Sequence, residues 1–265
     1  MGWTGRARPR HPIGNAKAKG GAVTQEPAAT TTPPDDTLRV LVVYYSRFGA
    51  IGDLAERIAE GARGVPGTQV ELLAVDDEPL NALRPGETED DRRRRQLALL
   101  NRLALAHAVI AGSPAYFGSL ASPLKRFFEE CATAESAVLD RSRPWHHYLF
   151  RDKVGAAFTS SATPHGGNEQ TLHSILTLMM HLGLVVATPG QRGPILEHQA
   201  APYGATAITG TPGRHGLSEQ EAEEARYLGQ RVATLAGWLR IGRQRGPQHR
   251  QEQLLTSEKP FDPSA

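Results

Sequence analysis

An uninterrupted apolar run over residues 40–45 is the clearest signal along the chain. It has no polar alternation, which is typical of a strand covered on both faces in the middle of a parallel sheet. A turn containing Ser46 and Gly49 follows, and apolar positions then return at a spacing of four over residues 52–62. This spacing predicts an amphipathic helix that packs one face against the sheet.

The alternation of apolar strands with amphipathic helices recurs five times. We predict strands near residues 39–45, 69–75, 108–111, 153–160 and 184–187. We predict helices near residues 52–62, 90–106, 122–131, 169–181 and 218–238, the last opened by a capping box of Ser218 and Glu221. This order predicts an α/β fold in which right-handed crossovers build a doubly wound five-stranded parallel sheet.

The composition predicts a single folded domain between two polar tails. Of the 265 residues, 39% are hydrophobic and 22% charged, which suits one principal core. We expect a disordered basic arm over residues 1–37, the domain over 38–240 and a polar tail over 241–265. No stretch approaches the roughly 20 apolar residues of a membrane-spanning helix, so we expect a protein without membrane contact.

Charge, histidine and cysteine content narrow the function classes. The formal net charge is +2, and the arginine run at 92–95 follows acidic residues without interleaved aromatics. Nucleic acid is therefore not an expected partner. The ten histidines lack metal-ligand spacing, so we predict no metal site. The single cysteine, Cys131, excludes an intrachain disulfide and suits a reducing, cytoplasmic compartment.

Several other side chains are expected to be structural. Leu172, Leu176 and Met180 lie on the fourth predicted helix and are expected to face the core. Cys131 is expected to be a small buried residue, because no base that could activate a thiol is nearby in the sequence.

Three loops that follow predicted strands form the candidate site, at residues 46–51, 113–118 and 160–168. Ligands of doubly wound sheets bind at the carboxyl ends of the strands, where the strand order reverses. The first loop joins a hydroxyl to the amide donors of a helix N-terminus, which suit a phosphate, and Gly49 is expected to leave room for close backbone approach. The second loop holds an aromatic pair, and the third holds small and hydroxyl residues.

The combination of these loops predicts a site for a phosphorylated planar heterocycle. The chain has no Gly-x-Gly-x-x-Gly motif, which disfavours a dinucleotide-binding fold. It also has no loop that ends in Gly-Lys-Ser/Thr, which disfavours a nucleotide-triphosphate site. Flavin mononucleotide (FMN) is the candidate ligand.

The same segments resemble the flavodoxin-like NAD(P)H:quinone oxidoreductases of the tryptophan-repressor-binding-protein type, over residues 39–239. The resemblance is carried by Tyr44-Tyr45-Ser46 with Gly49, Pro114 with Phe117-Gly118, Ser160 with Gly166-Gly167 and Glu169-Gln170-Thr171, and Pro202-Tyr203-Gly204-Ala205-Thr206. It implies FMN as cofactor, NAD(P)H as co-substrate and a quinone as acceptor.

The resemblance also implies roles for particular residues. The expected FMN phosphate site comprises Ser46, Arg47, Phe48, Gly49, Ala50 and Ile51. The expected contacts of the flavin ring and ribityl chain are Pro114, Ala115, Tyr116, Phe117, Gly118, Ser160, Ser161, Ala162, Thr163, Pro164, His165 and Gly166. His181 is expected near the flavin. Phe48 is expected to contact the nicotinamide nucleotide, and Trp145 the substrate.

The implied reaction is ping-pong: NAD(P)H gives a hydride to flavin N5 and leaves, and a quinone then takes two electrons on the same face. The flavin carries this chemistry, so no side-chain nucleophile is expected. The resemblance further implies a homotetramer.

Two alternatives remain open. One is a flavodoxin-type electron carrier, although such carriers are strongly acidic and this chain has 30 Lys and Arg against 28 Asp and Glu. The other is a regulatory or nucleic-acid-associated protein that acts through the basic arm.

Overall fold

A computed structural model describes residues 36–138, 149–191, 201–210 and 216–245. The strands are β1 (Leu38–Tyr44), β2 (Thr68–Ala74), β3 (Ala108–Tyr116), β4 (Ser119–Leu120), β5 (Val154–Ser161), β6 (Val185–Val186) and β7 (Ala205–Ile208). The helices are α1 (Ala50–Arg63), α2 (Glu89–Leu105), α3 (Ser122–Val138), α4 (Asn168–His181) and α5 (Glu219–Arg245). Trp145, most of the predicted arm and most of the predicted tail lie outside the described residues.

The sheet has the order β2-β1-β3-β5, with β6 and β7 beyond β5. These strands are all parallel, so the doubly wound α/β fold is confirmed. The chain moves from β1 to β2 on one side and then to β3 on the other side of β1. The strand order therefore reverses between β1 and β3, which is where such folds bind ligands.

The fifth position of the sheet is shared by two short strands. β6 pairs with the start of β5, at Val154 and Gly155, and β7 pairs with its end, from Phe158 to Ser161. The strand predicted at 184–187 is present as the shorter β6. The second strand at this position, β7, was not predicted. β7 was missed because it lies in a Gly- and Pro-rich segment and is too short to show a hydrophobic period.

Two hydrophobic layers cover the sheet, one on each face. Leu41 and Val43 of β1 face the layer that contains α2, α3 and α4. Val40 and Val42 face the layer that contains α1 and α5. All four side chains are at most 2% exposed, which confirms that the apolar run is a strand buried on both faces.

Helices α1 and α5 approach each other through glycines. A Cβ on Gly61 would overlap the carbonyl group of Arg226, and one on Gly229 would overlap the carbonyl group of Ile58. This backbone contact fixes the position of α1, whose N-terminus lies at the carboxyl edge of the sheet. The last helix opens with the predicted capping box, since the Ser218 hydroxyl accepts from the amide of Glu221 at 3.2 Å.

Two helices differ from prediction in their ends or their buried face. α3 continues past Cys131 to Val138, and α5 continues past the boundary predicted at residue 240. On α4 the buried residues include Leu172, Leu176 and Met179, whereas Met180 is 58% exposed, so the core prediction for Met180 was wrong. Met179 takes that place because the next core position after Leu172 and Leu176 falls three residues on.

Cys131 is fully buried, as predicted. Burial raises the pKa of its thiol, so the residue is an inert packing group. No helix in the described ranges combines the length and the apolar character that crossing a membrane requires.

Candidate functional site

A cleft of about 400 Å³ opens at the carboxyl edge of the sheet, beside the reversal between β1 and β3. All three predicted loops contribute to it. Its lining comprises Ser46, Arg47, Phe48, Ala50, Ile51, Pro114, Ala115, Tyr116, Ser160, Ser161, Ala162, Thr209 and Gly210. The volume lies within the range of small-molecule sites, roughly 300–1,000 Å³.

The loop after β1 is a cradle of hydrogen-bond donors. In the part of the chain that the structure describes, the amides of residues 46–51 donate to no acceptor. No side chain caps α1. The Ser46 hydroxyl oxygen accepts from the amide of Gly52 at 3.3 Å, so its proton is free for a ligand. These donors lie at the positive end of α1 and suit a phosphate dianion.

Gly49 is required in this loop by its backbone conformation. Its φ angle is 100°, in the left-handed region that side chains disfavour. A Cβ added to Gly49 would meet nothing within 4 Å. Within the chain the requirement for glycine is therefore conformational, since only glycine adopts this turn without strain, and the room it leaves for a ligand stays a prediction.

The second predicted loop is largely a strand. β3 continues to Tyr116, and β4 then returns antiparallel to it. The two turn residues, Phe117 and Gly118, both have positive φ angles, 54° and 71°, which is the geometry of a type I′ hairpin. The prediction that the third strand ends at residue 111 was wrong, because its last five residues lack the strongly apolar character of the run before them.

Hydrogen bonds fix the end of β3 to its neighbours. The buried hydroxyl of Ser113 accepts from the amide of Ala121 at 2.7 Å. The hydroxyl of Thr159 donates to the carbonyl oxygen of Ser113 at 2.7 Å. Pro114, Ala115 and Tyr116 follow directly and line the cleft, so one wall of the cleft belongs to the rigid sheet.

The hairpin turn brings Phe117 to the surface and packs against α4. The side chain of Phe117 is fully exposed and does not line the cleft. A non-glycine residue in this conformation costs about 1 kcal/mol. A Cβ on Gly167, the N-cap of α4, would crowd the Cα atom of Gly118. The absence of side chains at both positions lets the turn dock on the helix.

The loop after β5 divides into a buried part and an exposed part. Ser160 and Ser161 are buried, and they line the cleft together with Ala162. The Ser161 hydroxyl donates to the carbonyl oxygen of Thr163 at 2.8 Å, and the amide of Gly166 donates to the same oxygen at 2.9 Å. Beyond this tight turn the predicted contacts Thr163, Pro164 and His165 are exposed and, like Gly166 and Gly118, are not part of the lining.

Two cleft residues were missed by the sequence analysis, Thr209 and Gly210. They follow β7, and the amide of Thr209 donates to the carbonyl oxygen of Ser161 at 2.9 Å. Because β7 is parallel to β5, its carboxyl end lies at the same edge of the sheet as those of β1, β3 and β5. The available signal was the short Ala-Thr-Ala-Ile alternation at 205–208 with a glycine two residues later.

His181 does not reach the cleft within one chain. It is the last residue of α4 and is exposed. The neighbouring Gly183 accepts from the amide of Asp152, just before β5 begins. Because β5 is 8 residues long and a strand rises 3.3 Å per residue, His181 lies roughly 23 Å from the carboxyl edge.

The lining of the cleft carries little charge. Arg47 is the one charged residue among the described residues that line it. Beneath the cradle, Tyr45 is 4% exposed and its hydroxyl donates to Asp77 at 3.0 Å. Burial and this bond raise the pKa of Tyr45, and the charge of Arg47 partly opposes the rise.

The fold and the cleft define a flavodoxin-like α/β protein with a cleft at its switch point, where such folds bind ligands. Residues 40–193 match the family model described as NADPH-dependent FMN reductase, and the chain belongs to this family. The resemblance inferred from the sequence motifs is confirmed.

Curated relatives and a solved structure agree with this assignment. A relative from Chromohalobacter salexigens is 36% identical over 207 residues, 76% of this chain and 98% of the relative. One from Methylocella silvestris is 37% identical over 210 residues, with the same two shares. Both are named NAD(P)H dehydrogenase (quinone). The structure of a flavodoxin, WrbA-like protein from Agrobacterium tumefaciens is 27% identical, with a TM-score of 0.50 over 76% of this chain and 98% of that one.

Proposed function

We propose that this chain is an FMN-dependent enzyme that reduces quinones with NAD(P)H. The names of the relatives support the reaction, and the family model supports the cofactor. The observation that carries the proposal is the cradle of residues 46–51, whose free amides open onto a cleft of about 400 Å³ at the strand reversal.

The residues of the cleft fit FMN in both charge and shape. The cradle offers a phosphate several neutral donors, the Ser46 hydroxyl and the positive end of α1. The remaining walls carry small or flat groups, among them Pro114, Ala115, Tyr116 and Ala162. No acidic residue appears among the described residues of the lining, so nothing there repels the phosphate.

When bound, FMN would accept a hydride from NAD(P)H and pass two electrons to the quinone. The chain's own part is to hold the ring and to shape its open face. The wall at Pro114–Tyr116 is fixed by the bonds to Ser113. Phe48 lines the cleft and is 68% exposed, so it offers a flat apolar surface to either substrate. The proposed substrate contact of Trp145 falls outside the described residues.

The homotetramer and the role of His181 form part of the same proposal. Because His181 lies at the opposite edge of its own sheet, it approaches a flavin only if that flavin belongs to another copy. A tetramer with sites near subunit contacts would allow this. The single cysteine supports a cytoplasmic location.

The first test is a titration of the purified full chain with FMN and, separately, with riboflavin, which has the same ring and no phosphate. We expect FMN to bind at least tenfold more tightly, since charge-assisted phosphate contacts contribute about 1.5–3 kcal/mol each. The loaded protein should then oxidise NAD(P)H in the presence of benzoquinone. Equal affinity for both flavins, or no quinone-dependent oxidation, would overturn the proposal.

A further inference from the structure

The side chain of Arg47 stands apart from the rest of the cleft. It is exposed and is the single charge on the described lining. No carboxylate in the described ranges forms an ion pair with it, and no hydrogen bond there engages its guanidinium group. Arg95, in contrast, donates to Glu87 at 2.8 Å. A free guanidinium at a cleft mouth is available for an anion.

The phosphate of the cofactor does not need this charge. It has three terminal oxygens, and the amides of residues 46–51 with the Ser46 hydroxyl supply enough donors for them. The dipole of α1 adds a favourable potential at the same point. The backbone of Arg47 belongs to this cradle, but its side chain is left over for a second ligand.

The co-substrate of the proposed reaction brings further phosphates to the cleft mouth. A nicotinamide dinucleotide carries a pyrophosphate, and NADPH carries a 2′-phosphate as well. The planar guanidinium group binds phosphate with two parallel hydrogen bonds. Arg47 precedes the exposed ring of Phe48, so the chain presents a cation beside an aromatic surface, which suits a nucleotide.

We infer that the side chain of Arg47 is the cationic contact for a phosphate group of the incoming nicotinamide dinucleotide. This inference rests on the proposed function. It makes Arg47 a determinant of co-substrate affinity, while the cradle determines cofactor affinity.

The test compares Arg47→Met with Arg63→Met in the FMN-loaded full chain. Arg63 is exposed at the C-terminal end of α1, so the control removes the same charge at a position far from the cleft. KM is measured for NADPH and for NADH with benzoquinone. Equilibrium binding of NADP⁺ and NAD⁺ to the loaded protein is measured by calorimetry, and FMN affinity by fluorescence.

We expect Arg47→Met to weaken nucleotide binding about tenfold or more, the effect of one charge-assisted hydrogen bond, and to lower FMN affinity by a smaller factor. Arg47→Lys should recover part of the loss, and Arg63→Met should behave as wild type. A loss confined to NADPH and NADP⁺ would place the contact at the 2′-phosphate, and an equal loss for both dinucleotides would place it at the pyrophosphate.

Each contrary result shows whether this inference, the proposed function or both are wrong. Unchanged nucleotide affinity in Arg47→Met, or a loss of FMN affinity larger than the loss of nucleotide affinity, would overturn this inference while wild-type activity still supports the proposed function. An inactive wild-type protein that nevertheless binds NADP⁺ through Arg47 would overturn only the proposed function. If the FMN-loaded wild type binds neither nucleotide, both fail.

Discussion

The two edges of the sheet differ in whether their polar groups have hydrogen-bond partners within the chain. At the carboxyl edge, the amides of residues 46–51 are left without acceptors in the described structure. At the amino edge, the buried Lys153 ammonium donates to the carbonyl oxygens of Leu103, Ala104 and Ala106 at 2.6–2.7 Å. It thereby caps the end of α2, where the carbonyl oxygen of Leu103 also accepts from the amide of Ala106 at 3.3 Å.

The amino edge continues this pattern of internal pairing. The amide of Arg39 donates to Nδ1 of His107 at 3.0 Å. Arg243 lies 3.6 Å from a carboxylate oxygen of Asp152. Buried polar groups that are satisfied within the chain stabilise the fold, and groups left open in a cleft are available to a ligand. The comparison predicts that changes at the amino edge alter stability, whereas changes at the carboxyl edge alter flavin binding.

The largest expected effect on stability is that of Lys153→Met. This variant leaves the carbonyl oxygens of Ala104 and Ala106 without their donor and removes one of two donors to that of Leu103, which should lower the free energy of unfolding by about 3 kcal/mol. Urea unfolding measures the change. Lys125→Met is the matched control, because Lys125 is exposed and pairs only with Glu129 in the described structure, so its loss should cost about 0.5 kcal/mol or less. A tenfold fall in FMN affinity of folded Lys153→Met would show that the edges are not independent.

Gly49→Ala tests the conformation of the cradle. The positive φ angle of 100° makes an alanine there cost about 1–2 kcal/mol, and displaced amide donors should weaken FMN binding at least tenfold. Gly86→Ala is the control, since Gly86 has a φ angle of 79° and open space around it outside the cleft. Unfolding and FMN titration should show a similar stability loss in both variants and a binding loss only in Gly49→Ala. Equal FMN affinity in the two would contradict the cradle.

Ser46→Ala removes one donor to the ligand and the acceptor of the Gly52 amide. We expect FMN affinity to fall about fivefold, equivalent to roughly 1 kcal/mol, while riboflavin affinity stays constant because riboflavin has no phosphate. Ser119→Ala serves as control, since its hydroxyl lies 3.2 Å from that of Ser174 and does not line the cleft. Fluorescence titration reports both affinities. An equal loss of affinity for FMN and riboflavin would show that Ser46 does not contact the phosphate.

The smallest expected effect is a pH dependence of stability from His107. Burial, and then the nearby positive charges led by Arg240, lower the pKa of His107 below its ordinary value of 6.5. The unfolded chain therefore binds this proton at a higher pH, and stability should fall as pH drops below about 6.5. His107→Asn retains an acceptor for the amide of Arg39 and does not titrate.

Urea unfolding of the FMN-free protein between pH 7.5 and pH 5 measures this effect. We expect a flatter profile for His107→Asn than for the wild type. Parallel profiles would mean that other groups cause the pH dependence.

Local sequence determined a large part of this protein. The buried strand β1, the packed face of α1 and the strand-to-helix turn between them each depend on residues close together in the chain, so hydrophobic period and turn chemistry were enough to predict them. The three strand-end loops were found for the same reason, because parallel strands separated by crossover helices bring their carboxyl ends to one edge.

Only the tertiary structure decided the remaining features. The strand β7, and with it Thr209 and Gly210 in the cleft, exists because it pairs with the distant β5. The conformation of Phe117 is held by the hairpin and its docking on α4, and Lys153 is a helix cap only because the fold carries it to the end of α2. These features depend on contacts between residues far apart in the chain, whose partners no local pattern specifies.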